Sequence, residues 1–375
     1  MPKLISFSNT DWYLFNYRLP VDKVLREAGW EVIMASPPGE FQDAIQQAGF
    51  RWIEVPMSRS GLNPFAEMRT VSLLADIIRR EKPDLVHTFT MKGNVNGSLA
   101  AWRAGLPRVV NSIAGLGYIF SSDRLLPRLL RPFARLAYRA VLSRGATIFQ
   151  NNEDMETFTR TGLAPRDRSH LIRSSGVDVD IFQPGAEPSG KIRILFAARL
   201  LWTKGIGELV EAARQLRDRQ ADFEVVVAGE PDTGNPETVN AAQLRSWAEE
   251  KLITRVGFQK DMPALMRSCH IVCFPSKHKE GTPRFLVEAA SAGLPIVTTD
   301  NRGCVEVVEH GVNGLLVPPG DATALAAALL ELIQNPEKRR SFGEAGRAIA
   351  LRDFSVKQVA ERTAEVYTTL LKPAP

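Results

Sequence analysis

Cysteine is scarce in this chain of 375 residues, with three in all, Cys269, Cys273 and Cys304. Three thiols do not make a disulfide framework, and the spacing of the first two across the strand-like run SCHIVCF is not a zinc spacing. They are expected to be buried thiols in a reducing compartment. The five histidines, His87, His170, His270, His278 and His310, include no HxxxH pair, and no metal site is expected. Asp178-Val-Asp180 has the look of a metal-binding DxD, but no third ligand lies near it and a polar loop explains it. No window holds the roughly 18 uninterrupted apolar residues of a membrane helix. The N-terminus, MPKLISFSNTDWYLF, has no charged leader and apolar block, so the expected location is the cytoplasm. No GxGxxG follows the first strand-like run, Lys3 to Phe7, which argues against a dinucleotide enzyme. There is also no Lys/Arg run interleaved with aromatics, so nucleic acid is not an expected partner.

What is present is a repeated β/α pattern in a chain long enough for two cores. Strand candidates EVIMAS, RWIEVP, DLVHTF, RVVNSI and ATIFQN alternate with helix-like segments at Leu19 to Ala28, Phe65 to Arg80 and Val95 to Ala104. From Thr161 to Gly190 the chain turns polar, a candidate linker. A second series follows: RILFAAR, a helix from Gly205 to Arg217, FEVVVAG, a helix through Asn240 to Glu250, TRVGF, HIVCFPS, a helix around Glu288, PIVTTD and GLLVPP. The pattern predicts α/β architecture with two parallel, doubly wound sheets, over residues 1–170 and 190–352. A last helix, within 356–375, is expected to pack back on the first domain.

The net charge of +5 arises wholly before Asp180, where 23 Lys and Arg face 18 Asp and Glu. Much of it comes from residues 123–146, where Arg124, Arg128, Arg131, Arg135 and Arg139 recur at helical steps between Leu125, Leu129, Leu130, Phe133, Leu136 and Val141. Such a stretch either lies on an anionic membrane surface or packs its apolar side on its own domain, kinked at Pro132.

The most informative segment is KEGTPRFLVEAASAG, Lys279 to Gly293. Pro283 suits a first helical position. Glu280 and Gly281 would then precede the helix, with Glu288 about 7.5 Å along its axis. A helix N-terminus between two carboxylates suits a ligand with phosphates in the middle and hydroxyl-bearing rings at both ends. Ligands of open parallel sheets bind beyond the carboxyl ends of the strands. There ARLLWTKG places Arg199 and Lys204, two cations suited to a diphosphate. Glu230 follows FEVVVAG and the Lys260-Asp261 turn follows TRVGF, either placed to contact a nucleotide base through backbone groups, and Phe258, which ends TRVGF, is a further donor-binding candidate.

In order, ARLxxxKG, VVVAGE, VGF…D, FPSxxxEGTPxxLVEAxxAGLPIVTTD and GCVEVVEHGxNGLLVPPGD resemble the retaining family 4 glycosyltransferases. The likeness spans nearly all of the second domain. SRSGLNPF at Ser58 to Phe65, GLG at Gly115 to Gly117, LWTKG and GCVE narrow it toward bacterial members that extend an undecaprenyl-diphosphate-linked sugar. The resemblance implies the GT-B fold, two Rossmann-like domains facing across a cleft. It also implies sugar transfer from a UDP-linked donor, a substrate rather than a cofactor, to a lipid-diphosphate glycan, with no metal and no further cofactor. Arg199 and Lys204 would hold the diphosphate and offset the charge that grows on it. Glu288 would take the ribose hydroxyls and Glu280 the donor sugar, while the backbone of Gly281, Thr282, Pro283, Arg284 and Phe285 lines sugar and phosphate. Glu280 would act by binding and electrostatics, in a reaction on one face of the sugar, rather than as a covalent nucleophile.

Two features depart from the family. SNTDWYLFNYRLP replaces the paired glycines of the first loop, and Ala114 stands before Gly115 where many relatives have His. His87 ends another strand, and nothing in its spacing makes it a substitute. Acceptor contacts are expected among Asn9 to Arg18, Lys92 and Asn94. A nucleotide-sugar epimerase and a noncatalytic nucleotide-sugar-binding protein remain the alternative functions. A peripheral place on the inner face of the bacterial membrane follows if residues 123–146 meet lipid.

Overall fold

The computed structural model describes residues 1–58, 63–115, 125–278 and 280–372, with only the backbone of 125–127 and 130. Lys279, Arg124 and parts of SRSGLNPF and GLG therefore lie outside the described residues. The chain forms two compact units, Met1–Gly176 with Val356–Pro375, and Val177–Ser355.

The first unit holds seven parallel strands, β1 (Lys3–Phe7), β2 (Glu31–Ser36), β3 (Arg51–Glu54), β4 (Leu85–Phe89), β5 (Val109–Ile113), β6 (Ala146–Phe149) and β7 (Ser169–Leu171), in the order β3-β2-β1-β4-β5-β6-β7. β4, β5 and β6 are buried at every residue, as strands are when helices cover both faces of a parallel sheet. Residues 161–176 are thus not linker. They include β7, paired with β6, a three-residue edge strand too short to leave a periodic pattern in sequence.

The Val356–Leu371 helix packs in this unit, with Val359, Ala360, Val366 and Tyr367 in one core cluster with Leu19, Val21, Leu25 and Trp30. Its Tyr367 hydroxyl stands 2.5 Å from His87 Nδ1, and His87 Nε2 stands 2.7 Å from Ser112 Oγ. Nearby, Arg18 donates to Asp22 at 2.8 Å, and Ser6 Oγ donates to the other Asp22 oxygen at 2.9 Å. The basic segment is one helix, Leu125–Leu142, with Pro132 inside it. Tyr138, Val141 and Leu142 turn inward against Phe149 and Phe158. Leu129, Phe133 and Leu136 are 61, 72 and 69% exposed. This helix packs on its own unit by one face and carries a second apolar stripe that its own unit leaves uncovered.

The second unit holds six parallel strands, β8 (Ile192–Ala197), β9 (Phe223–Ala228), β10 (Thr254–Gly257), β11 (Ile271–Phe274), β12 (Ile296–Thr299) and β13 (Gly314–Val317), in the order β10-β9-β8-β11-β12-β13. Strand order reverses between β8 and β11, so the segments leaving these neighbours run to opposite sides and open a crevice at their carboxyl ends. Gly205 sits there at φ 81°, where an added Cβ would lie 1.9 Å from the Pro275 carbonyl oxygen. Only glycine lets the two segments approach so closely.

Burial, helped by the charge of Arg18, pushes the His87 pKa well below its ordinary 6.5. Folded His87 refuses a proton that the unfolded chain accepts, so its contribution to stability is full above about pH 6.5 and falls as the pH drops below that, at up to about 1.4 kcal/mol per pH unit. Denaturant titrations between pH 7.5 and 5 should show this loss, flattened in His87→Asn.

Candidate functional site

The residues singled out in the second unit gather at the carboxyl ends of its strands. Lys204 closes a short 3-10 turn after β8, and Glu280 lies in the loop after β11. Lys204 Nζ donates to Glu280 Oε1 at 2.5 Å, and Ser276 Oγ donates to the same oxygen at 2.6 Å. The side chains of Lys204 and Glu280 are only 14% and 12% exposed, so the contact bridges the crevice at the point where strand order reverses. Backbone bonds hold it in place: the N–H groups of Lys277 and His278 both donate to the Thr203 carbonyl, at 2.9 and 3.2 Å. The third wall is the GCVE turn. Gly303, at φ 78°, lies so close that a Cβ would stand 1.6 Å from the Gly281 carbonyl oxygen. Asn301 Nδ2 donates to the carbonyls of Ser276 and His278.

The helix after Glu280 runs Arg284–Ser291, one residue shorter at its start than the sequence suggests. Pro283 is its N-cap, at ψ 116°, and its carbonyl already accepts from the N–H groups of Leu286 and Val287. A cap residue keeps extended backbone while its carbonyl takes the first helical bonds. Arg284 is then placed one turn before Glu288, and its Nε donates to Glu288 Oε1 at 2.7 Å. Burial raises the Glu288 carboxyl pKa, and Arg284 opposes the rise. Phe285 is half-buried and turns its ring against Phe274, with centroids 6.1 Å apart, so its side chain packs against the core.

Arg199 is 64% exposed along its side chain and donates to Asp232 at 2.6 Å. It and Lys204 both lower the His278 pKa, after burial as the main cause and against the charge of Glu280. The four groups thus share one electrostatic neighbourhood. Glu230 and Phe258 stand beyond β9 and β10. Glu230 reaches Arg255 at 3.4 Å, and Phe258 is 72% exposed, an uncovered ring at the edge of the same strand-end surface. Grooves of about 490 and 590 Å³ open at the amino ends of strands in this sheet, and neither is lined by any of these residues.

Ser276, His278, Asn301 and Asp232 complete the site and were not singled out in the sequence. Ser276 lies four residues before Glu280 in the motif loop, a usable signal. Asp232 has none, because only the fold of its loop returns it to Arg199. Cys269, Cys273 and Cys304 are buried free thiols, and burial pushes that of Cys304 up to about 12. Asp178 accepts from the N–H groups of Asp180 and Ile181, a local turn that occupies the DxD carboxylate.

In the first unit the expected acceptor residues divide. Asn94 is fully buried, accepting from Thr88 and donating to the Ser112 carbonyl, so its amide serves the core rather than a ligand. Lys92 pairs with Glu67 at 2.6 Å and donates to the Ser58 carbonyl at 2.7 Å. Asp11 is buried and accepts from Trp12 and Phe41, and Arg18 is spent on Asp22. Trp12, 48% exposed, is the large apolar side chain that the Asn9 to Arg18 segment leaves open.

Two family models match the chain, Glycosyl transferases group 1 over residues 178–349 and Glycosyl transferase 4-like over residues 3–152. Among curated relatives, the N,N'-diacetylbacillosaminyl-diphospho-undecaprenol alpha-1,3-N-acetylgalactosaminyltransferase of Campylobacter jejuni is 27% identical over 96% of each chain. The UDP-Gal:alpha-D-GlcNAc-diphosphoundecaprenol alpha-1,3-galactosyltransferase of Escherichia coli is 24% identical over 84% of this chain and 81% of its own. Among solved structures, Anabaena Alr3699/HepE in complex with UDP superposes with a TM-score of 0.81 at 21% identity, over 98% of this chain and 100% of that one. Two parallel-sheet units, each matched by its own model, and a strand-end site in the second place this chain in the glycosyltransferase group 1 family, as a glycosyltransferase of GT-B fold.

Proposed function

We propose that this chain moves a hexose or N-acetylhexosamine from a UDP-linked donor to a polyprenyl-diphosphate-linked glycan, with retention, at the inner face of the cell membrane. The observation that carries the proposal is the Lys204–Glu280 contact across the β8/β11 crevice, with Arg199 beside it. A diphosphate seated against Lys204 and Arg199 places its sugar near Glu280 and its ribose toward Glu288. The bond from the anomeric carbon to the diphosphate then breaks as charge on the leaving oxygen is met by the two cations. An acceptor hydroxyl closes on the same face, and its proton passes to the departing diphosphate. Glu280 orients sugar hydroxyls and stabilises positive charge developing on the ring. Two side-chain cations take the part that a divalent metal plays in other transferases. The Campylobacter and Escherichia relatives, whose names specify undecaprenyl-diphosphate acceptors, support the acceptor class.

The first unit supplies the membrane contact. Leu129, Phe133 and Leu136 recur one helical turn apart on an exposed stripe, flanked by Arg128, Arg135 and Arg139. That combination suits the boundary of an anionic bilayer, with apolar side chains entering and guanidinium groups meeting lipid phosphates.

Incubation with a panel of UDP- and GDP-sugars and a polyprenyl-diphosphate glycan should yield one elongated product, undiminished by chelator. Lys204→Ala should cut kcat/KM by about 10²–10³-fold and also lower the melting temperature, because Glu280 loses its partner, so activity is compared at a temperature where circular dichroism shows the variant folded; an active variant, or turnover only with added metal, contradicts the assignment. Vesicle flotation gives an independent check. Leu129→Glu combined with Phe133→Glu should abolish binding to phosphatidylglycerol vesicles while leaving activity on a detergent-solubilised acceptor intact.

A further inference from the structure

Arg199 is the more exposed of the two cations, and a long side chain in water holds no fixed geometry by itself. Its guanidinium is nevertheless tied down. Asp232 Oδ2 takes Arg199 Nη1 at 2.6 Å, and Asn235 Nδ2 donates to that same oxygen at 3.1 Å. Asp232 is fixed in turn, because its N–H donates to Thr238 Oγ1 at 2.8 Å. The loop carrying it, which runs from the end of β9 toward the Ala241–Glu249 helix, folds back onto the segment between Arg199 and Lys204. Leu201 and Thr238 form an antiparallel bridge, Trp202 N–H donates to the Glu237 carbonyl at 2.8 Å, and Val239 N–H donates to the Leu200 carbonyl at 2.9 Å. Among the described residues, Arg199 Nε and Nη2 have no protein acceptor.

We propose that Asp232 is a positioning residue for the donor: it fixes one arm of the Arg199 guanidinium so that the remaining N–H groups meet the diphosphate as a preformed fork. The inference rests on the assignment of Arg199 to the donor diphosphate. The planar guanidinium has five N–H donors in a rigid arrangement, so one carboxylate can hold it and leave an edge for an anion. Preorganising a flexible cation lowers the entropy lost when the ligand arrives. The loop thereby links donor affinity to a residue that does not itself touch the donor.

The test is a double-mutant cycle on the full chain, read by UDP binding and by donor and acceptor KM. Arg199→Ala should weaken UDP binding, and Asp232→Asn should raise donor KM about tenfold with acceptor KM unchanged. Asp232→Glu should recover part of the loss, and Asp232→Asn added to Arg199→Ala should cost nothing more. If Asp232→Asn binds UDP as well as or better than the parent while Arg199→Ala is impaired, Asp232 is no positioning residue and the inference fails alone. Additive losses in the double variant overturn it equally. If Arg199→Ala itself binds UDP normally, the assignment of Arg199 to the diphosphate fails as well.

Discussion

One short contact between a cation and a carboxylate, Lys204 to Glu280, fixes the geometry of the second unit's working edge. Both groups are largely withdrawn from water, and removing one partner of such a pair typically costs about 3–5 kcal/mol because the other charge is left stranded. A well-packed apolar pair would often be at least as stable, so stability alone does not account for ions at this position. Its value is positional. The contact spans the gap where β8 and β11 send their chains in opposite directions, and it forms only because Gly205 and Gly303 let backbone segments approach to distances that any side chain would forbid.

The two units use similar sheets differently. In the first, polar side chains at and near strand ends are consumed internally: His87 binds Ser112 and Tyr367, Asn94 binds Thr88 and the Ser112 carbonyl, and Arg18 binds Asp22. That network ties the last helix of the chain to β4 and β5, and buried polar groups satisfied in this way rigidify a core. In the second unit, the charged groups that follow the strand ends are instead held in pairs. Arg199 on Asp232 and Glu288 on Arg284 are examples.

Much of this was legible in advance. Short apolar runs with helical segments between them specify parallel strands, and the order of motifs from Arg199 to Glu306 specified the family. The start of the Arg284–Ser291 helix was misjudged by one residue, because proline suits both the cap and the first turn and only the Pro283 ψ angle separates them. β7 was missed since three residues carry no period. The basic helix presented two readings because apolar residues surround it. A helical wheel shows where side chains point, and only the packed neighbours show that Tyr138, Val141 and Leu142 are covered while Leu129, Phe133 and Leu136 are not.

By itself the sequence determined the class of fold, the positions of Arg199, Lys204 and Glu280 in segments that follow strands and of Glu288 on a helix, and the family, since these follow from local periodicity and from the order of motifs along the chain. The tertiary structure alone decided which charges meet. Lys204 reaches Glu280 across 76 residues, Arg199 reaches Asp232 across 33 and His87 reaches Tyr367 across 280. Such pairings depend on strand order and loop return, which local residue pattern does not encode, because a parallel sheet brings distant segments side by side through crossovers whose packing is settled only when the whole unit folds.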